Sequence, residues 1–471
     1  MTGPVVPQTS DFHAGGKRRV GRPTTLETGG ESLAAILSLI RTGVATTQLD
    51  LERASGLGRA VVTDRLATLE RLQIIAKGEF GPAAGGRAPR HFRFRAEAAD
   101  LMAAHVNRDS IAVGLADLNG QLIAEHHEAA DLAQGPEAIL DRLTTLFYWM
   151  LEERGGKSRA WGVSLALPEI AVIYANEGDA FNIAARDGLH AWRRFDFAAV
   201  LALRFCAPCW VRSNTQMMTL GETKAGAGRG ANDILCVSID RSLSAGVVSG
   251  GRLQAGAQGC AGLIGHAPTG EGGDLTCHCG ARGCLDVVAS GDAVARDASA
   301  AAREGRSRYL AELLERLGEV GANDVSHGAQ LGDRFCAELL AHAGRLIGES
   351  LAPLVNLTNP AIVVLAGPLA HSGEILLAAV REAIYRRSHP LATRDLRIVR
   401  SELGGSAELI GAASLASEEI FAAANAREWI SHGSPRHQPL LETFAAEAKA
   451  LRRKGPPVNA AVSMPPPPVG R

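Results

Sequence analysis

Between Gly265 and Asp286 the chain reads Gly265-His266-Ala267-Pro268-Thr269-Gly270-Glu271-Gly272-Gly273-Asp274-Leu275-Thr276-Cys277-His278-Cys279-Gly280-Ala281-Arg282-Gly283-Cys284-Leu285-Asp286, gathering three thiols and an imidazole in one short segment. Cys-x-Cys followed by Gly-x-x-Gly-Cys brings the sulfurs into a tight turn, and the glycines remove the Cβ clashes such a turn would carry. Three thiolates and one imidazole are the donor set of a closed structural zinc site, so Cys277, Cys279, Cys284 and His266 are the expected ligands and Zn2+ the expected ion. The alternative is three simply buried thiols, since Cys is among the residues most often found inside. His278 competes for the fourth corner. Because Cys277 and Cys279 flank it and both aim sulfur at the metal, an alternating backbone turns His278 away and favours His266.

A Gly-His pair followed by Cys-x-Cys-Gly-x-x-Gly-Cys and an acid resembles the signature of the ROK family (repressors, open reading frames and kinases), whose members bind zinc there. The resemblance runs from about Glu31 to about Asn425. It implies an α/β chain with an actin-like (ribonuclease H-like), two-lobed body of the ATPase and sugar-kinase type. Regulators of the family carry a winged helix-turn-helix ahead of that body, and kinases do not.

A chain of 471 residues, 46% hydrophobic and 21% charged, can bury two or three domain cores. No apolar run approaches the ~20 residues that span a bilayer, and the first residues lack the apolar block of a secretory signal, so a cytoplasmic protein without membrane contact is expected. The eight cysteines are not spaced as a disulfide framework. Cys206-Ala207-Pro208-Cys209 has the spacing of a redox pair, but it follows the helical run Phe-Ala-Ala-Val-Leu-Ala-Leu-Arg-Phe, and thiol activation needs a helix N-terminus rather than its end. Charge is unevenly shared. Met1 to Arg95 holds fourteen Lys and Arg against eight Asp and Glu, a net of +6, which leaves −7 for the rest of a chain whose total is −1. A basic head on an acidic body suits a protein in which one small domain touches phosphate.

Residues 29–96 read as that head. Leu33, Ile36, Leu37 and Ile40 recur at helical spacing up to Gly43. A short helix follows, capped by Thr46-Thr47 and stopped at Gly56, and a third runs from Gly58 to about Arg71 with Val62, Leu66 and Leu69 inward. Two short helices joined by a glycine turn make a helix-turn-helix, whose second helix offers its N-terminal residues to base edges in the major groove. That assigns Arg59, Ala60 and Thr63 to bases: Arg59 can fork onto guanine, and Ala60 and Thr63 are short enough to meet a thymine methyl. Arg65 is expected at phosphate or in solvent. Gly58 stands where family regulators commonly have serine, which weakens the cap. Lys77 to Phe94 alternates like a two-stranded wing with a glycine-rich tip, where Arg87 would reach the minor groove. Ahead of the head, the basic arm 1–28 contains Lys17-Arg18-Arg19-Val20-Gly21-Arg22-Pro23, which resembles an AT-hook with Arg22 in a narrow groove. A disordered solubilising arm and a head that docks protein are the alternatives.

Residues 97–425 read as the kinase-like effector and dimerisation body. Ile111 to Ile123 forms a hairpin through Asn119-Gly120. By the resemblance, the phosphate loop of the kinases, Asp-x-Gly-Gly-Thr, corresponds to His105-Val106-Asn107-Arg108-Asp109, and a second loop to Asp240-Arg241-Ser242-Leu243-Ser244; both have lost their glycines. Phosphoryl transfer to a sugar hydroxyl needs a carboxylate to accept the proton. Aligned on Leu220-Gly221-Glu222, that position is Asn214, whose carboxamide does not titrate near neutral pH. The sugar contacts of the kinases map onto Ser213, Asn214, Leu263, His266 and Asp286, of which Leu263 lacks the family's acid. Ser213, Asn214, His266 and Asp286 remain as expected effector contacts. Residues 426–471, ending in a proline run, read as a disordered tail.

The expected protein is therefore not an enzyme but a DNA-binding transcriptional regulator, a repressor by family resemblance, of carbohydrate-related metabolism. Its partners are operator DNA, a sugar or sugar derivative as effector, and further copies of itself in a homodimer or homotetramer. An ATP-dependent sugar kinase and an effector-blind DNA-binding dimer are the competing readings.

Overall fold

A computed structural model describes residues 27–80, 89–155, 160–169, 192, 195–371 and 373–430. Arg22 and Arg87 lie outside them. The first helix, α1 (Glu27–Arg41), begins two residues earlier than the expected domain start and buries Leu33, Ile36, Leu37 and Ile40. Thr47 caps α2 (Gln48–Ser55) by accepting from the Asp50 N–H, and Gly56 ends it in the left-handed region at φ 69°. Gly58 precedes α3 (Arg59–Arg71) and offers no side-chain cap, as its lack of a hydroxyl dictates. Val62, Leu66 and Leu69 face inward. The wing is the antiparallel pair β1 (Ile75–Phe80) and β2 (Arg90–Phe94).

The body repeats one sheet topology twice. In the first sheet the order is β5 (Leu122–Ala129), β4 (Ser110–Ala116), β3 (Asp100–Val106), β6 (Ala160–Leu167), β7 (Cys209–Ser213); β4 runs antiparallel to both neighbours, and β6 and β7 run parallel to β3. The second sheet has β10 (Arg252–Leu253), β9 (Leu243–Ser249), β8 (Ile234–Ile239), β11 (Ile362–Ala366) and β12 (Arg397–Arg400) with the same pattern of directions. Central strands such as Leu101–Val106 and Ile362–Ala366 are buried on both faces and, His105 apart, apolar, because helices cover both. Gly120 turns the β4–β5 hairpin at φ 78°, so the Asn-Gly signal locates it.

On the first sheet, α4 (Pro136–Glu153) and α5 (Phe197–Phe205) bury Phe147 and Leu201 against Met102, Ala104 and Leu165. After β7 the chain enters α6 (Asn214–Lys224) and the second lobe, with helices α7 (Gly291–Arg303), α8 (Arg308–Leu317), α9 (Ala322–Gln330), α10 (Arg334–Thr358) and α11 (Glu374–Arg387). Then α12 (Ala407–Phe421) returns to the first lobe, crossing α6 so closely that a Cβ at Gly221 or Gly411 would strike the carbonyl of Ala407 or Met217. Among the described residues no helix is long and apolar enough to cross a membrane.

The expected boundary at 425 falls inside a last helix, α13 (Ala423–Ile430). Trp429 is fully buried there, donates its indole N–H to the Ile420 carbonyl at 2.8 Å and packs on Trp161. Leu33, Leu37, Phe94, Ile420, Phe421 and Trp429 belong to one buried cluster, so head and first lobe share a core. The sequence hid this because one aromatic residue before a polar, proline-rich stretch carries no periodicity.

Candidate functional site

Three groups of residues bear on function: the start of α3, the Cys/His hairpin, and the cleft where α6 meets both sheets.

At the head, Arg59 and Ala60 are exposed in the first turn of α3. Thr63 is exposed too, but its hydroxyl is committed: it donates to the Arg59 carbonyl at 2.8 Å and accepts from Gln48 Nε2 at 2.8 Å. What it offers outward is its methyl and one lone pair. Arg65 departs from expectation. Its Nε donates to Ser32 of α1 at 2.8 Å and its Nη1 reaches Asp64 at 2.6 Å, so it braces α3 on α1 instead of standing free. Gln48 was invisible in the sequence because its partner lies fifteen residues on, across the turn.

The hairpin brings His266, Cys277, Cys279 and Cys284 together, each offering one ligand atom and all four within 4.8 Å of one another. Cys277 Sγ lies 3.5 Å from His266 Nδ1, and Cys279 Sγ 3.7 Å from Cys284 Sγ. Bonds of about 2.3 Å to sulfur and about 2.0 Å to nitrogen at a tetrahedral angle require edges of about 3.8 and 3.5 Å, so the four side chains could hold one metal ion. None of the three thiols is in a disulfide. Burial pushes the Cys284 thiol up to about 12, with the neighbouring sulfurs adding to it, so thiolates held here need a cation. His278 stands outside the four-residue set, though not through strand alternation. Residues 278 and 279 form a turn, not an alternating strand, and the His278 ring packs edge-on against His266 at 4.8 Å, with Nδ1 3.8 Å from Cys277 Sγ. It sits beside the cluster, outside the four-residue set.

In the cleft the expected effector residues take different duties. Ser213 is buried and caps α6, accepting from the Gln216 N–H at 3.3 Å. Asn214 Nδ2 donates to the Val106 carbonyl at 2.9 Å and to Asn107 Oδ1 at 2.7 Å, which spends both amide hydrogens on the β3–β4 turn; its own Oδ1 is buried without a partner among the described residues. Asp286 accepts from the Leu243 N–H at 2.7 Å, and loss of solvent raises its carboxyl to about 6. Gly265 packs against the Leu243 carbonyl and Asp286, which joins the metal hairpin to the turn after β8. Glu169, unremarked in the sequence, reaches into the same place from the end of β6 and accepts from Thr215 and Ser244. The available signal was an acid two residues after a strand of mostly apolar residues, Ala160–Leu167. Cys206 sits in the left-handed region at the end of α5, not at a helix N-terminus, and Cys209 is buried, with burial pushing its thiol up.

A winged helix-turn-helix fused to a two-lobed, internally duplicated α/β body defines the class: an actin-like, sugar-kinase-type fold with a small helical head and wing. The chain belongs to the ROK family, whose family model matches residues 102–419. The xylose repressor of Bacillus spizizenii is 24% identical over 372 residues, 79% of this chain and 91% of that protein. The DNA-binding transcriptional repressor Mlc of Escherichia coli is 23% identical over 382 residues, 80% and 91% of the two chains. A glucokinase of Thermotoga maritima is more similar, 31% over 233 residues, but matches 49% of this chain and 72% of its own. Among solved structures, a ROK family transcriptional regulator described as a homologue of Escherichia coli Mlc superposes with TM-score 0.70 at 20% identity, covering 86% of this chain and 100% of that one. A ROK hexokinase from Thermus thermophilus superposes with TM-score 0.55 at 25% identity and covers 68% of this chain and 99% of its own.

Proposed function

We propose that this chain is a cytoplasmic, DNA-binding transcriptional repressor of carbohydrate-related metabolism, whose kinase-like body senses a ligand without turning it over. The observation that carries the reading is the open first turn of α3, with Arg59 and Ala60 exposed on a head, residues 29–96, of net charge +4. Repressor relatives match head and body together, while the glucokinase matches about half of this chain. Arg59 reads guanine, Ala60 and the Thr63 methyl meet thymine, and Arg22 and Arg87 would add minor-groove contacts. A two-fold homodimer, or a homotetramer built from it, presents paired heads to half-sites about 10 base pairs, or a multiple of that, apart.

Zinc is the ion that fits the hairpin: its donors are soft, the set is closed, and no ligand position is left for substrate. Its role is to fix the segment that carries Asp286 to the cleft. Absence of catalysis rests on Asn214, which has no titratable group and whose amide is already engaged by Val106 and Asn107. Ser213, Asn214, His266 and Asp286 surround the effector. A sugar-kinase reading draws on the glucokinase match; turnover of ATP across a sugar panel, abolished by changing Asn214, would establish it instead. An effector-blind dimer would show no shift in melting temperature with any sugar, amino sugar or sugar phosphate. The regulator reading is tested by salt-dependent, sequence-selective binding to DNA upstream of its own gene and neighbouring genes, with Arg59→Ala as the control.

A further inference from the structure

Glu169 follows β6, so it belongs to the first lobe, yet its hydrogen-bond partners among the described residues lie beyond β7. One oxygen, Oε1, faces the Thr215 N–H at 3.2 Å, the Thr215 hydroxyl, and the Ser244 hydroxyl at 3.3 Å. Thr215 is the second residue of α6, and Ser244 the second residue of β9 in the other sheet. The two hydroxyls also bond each other, so the Ser244 proton is shared between Thr215 and Glu169. Both hydroxyls are buried. Donors from two separate elements thus converge on a single carboxylate oxygen, and that oxygen is the chain's own.

Ser244 closes the turn Asp240 to Leu243, which corresponds in sequence to the second phosphate loop of related kinases. Glu408 is close enough for its ionisation to feel the charge of Glu169. Of the two arginines three residues from these hydroxyls, Arg241 is taken up by Asp292 at 3.0 Å and Arg212 donates to the Val211 carbonyl at 2.8 Å. A second anion arriving at Thr215 and Ser244 would meet a position already filled by a carboxylate of like charge.

We propose that Glu169 acts as a built-in ligand of the cleft: its carboxylate fills an oxyanion position made jointly by Thr215 and Ser244, ties the two lobes together, and bars phosphate- or carboxylate-bearing molecules from that position. The occupancy follows from the geometry alone. Its consequence for sensing, that the effector is an uncharged sugar derivative and not a sugar phosphate or sugar acid, rests on the regulator reading.

Removing the carboxylate should turn the filled position into an empty one that small oxyanions can enter. Full-length wild type, Glu169→Gly and Glu169→Gln are melted in rising sodium acetate, inorganic phosphate or, at matched ionic strength, chloride. Glu169→Gly is expected to melt several degrees below wild type and to be restored saturably by acetate. Wild type and Glu169→Gln should respond to acetate no more than to chloride. Phosphate acting in place of acetate would support the site with a preference for tetrahedral anions. A Glu169→Gly protein that melts with wild type, that ignores both anions, or that shares its acetate response with wild type overturns the proposal. If Glu169→Gly does not fold, Ser244→Ala and Glu169→Gln are combined: the pair should be non-additive, and strict additivity overturns the tie between the lobes. Wild-type operator binding, measured alongside, fails or succeeds independently, so loss of the regulator reading and loss of this one are separable.

Discussion

Arg41 at the end of α1 donates to the Ser417 hydroxyl of α12 at 2.6 Å, although 376 residues separate them. Ser417 passes its own proton to the Leu118 carbonyl at 2.7 Å, and the Arg41 guanidinium lies 4.8 Å from the centre of the Phe421 ring. Head and body are therefore joined through a polar contact set in the shared apolar core. Arg41→Ala is expected to cost about 1–3 kcal/mol and Ser417→Ala less, with the double variant below the sum because both changes break one contact. Urea denaturation of the four proteins reads this, and full additivity would mean that the pair is not coupled.

The recognition helix supplies a contrast between two arginines. Arg59→Ala is expected to weaken operator binding by about 1–3 kcal/mol and to relax selectivity at one base pair of each half-site. Arg65→Ala should leave base selectivity unchanged and instead lower the stability of the head, since its guanidinium is held by Ser32 and Asp64. Binding isotherms on an operator and on single-base variants separate the two, and a selectivity change from Arg65→Ala would contradict the position described for it.

One metal ion per chain is expected, with Cys284→Ser losing it. A zinc site binding only the folded state adds about 4 kcal/mol when free metal is roughly a thousand-fold above Kd, so chelation should lower the melting temperature of wild type and leave that of Cys284→Ser unmoved. Elemental analysis with thermal melts checks this. Metal retained at full stoichiometry by Cys284→Ser would remove Cys284 from the ligand set.

The three helices of the head, the Asn-Gly hairpin and the Cys/His cluster were legible because each is local: helical spacing of Leu33, Ile36, Leu37 and Ile40, a turn dipeptide, and four donor residues within nineteen residues. The cleft was legible only through the family pattern, which located Asn214 and Asp286 but not their partners. Glu169 with Ser244, Gln48 with Thr63, and Trp429 with Trp161 were missed for one physical reason. Each is a pairing that packing brings about between residues far apart in the chain, or across a turn, and periodicity reports only which way a residue faces, never what it meets.

Glu408 gives a pH signature. Loss of solvent around its carboxyl, with like charge from Asp240, Glu169 and Glu222, raises it to about 7 from a usual 4.5. Across that interval the folded state keeps a proton that the unfolded state has released, so the stability Glu408 contributes is complete below 4.5 and is lost as pH climbs towards 7. Glu408→Gln cannot titrate. Its stability relative to wild type should therefore grow between those pH values and level off above them, read from urea midpoints of both proteins. A difference constant with pH would mean that Glu408 ionises as it does in water.

The most direct test is a pair of titrations on the purified full-length protein: DNA from upstream of its gene at several salt concentrations, and ATP with magnesium. Tight, sequence-selective DNA binding that weakens steeply with salt, together with no measurable nucleotide binding, is the predicted result. Firm binding of ATP with magnesium, and DNA binding that is absent or indifferent to sequence, would contradict it.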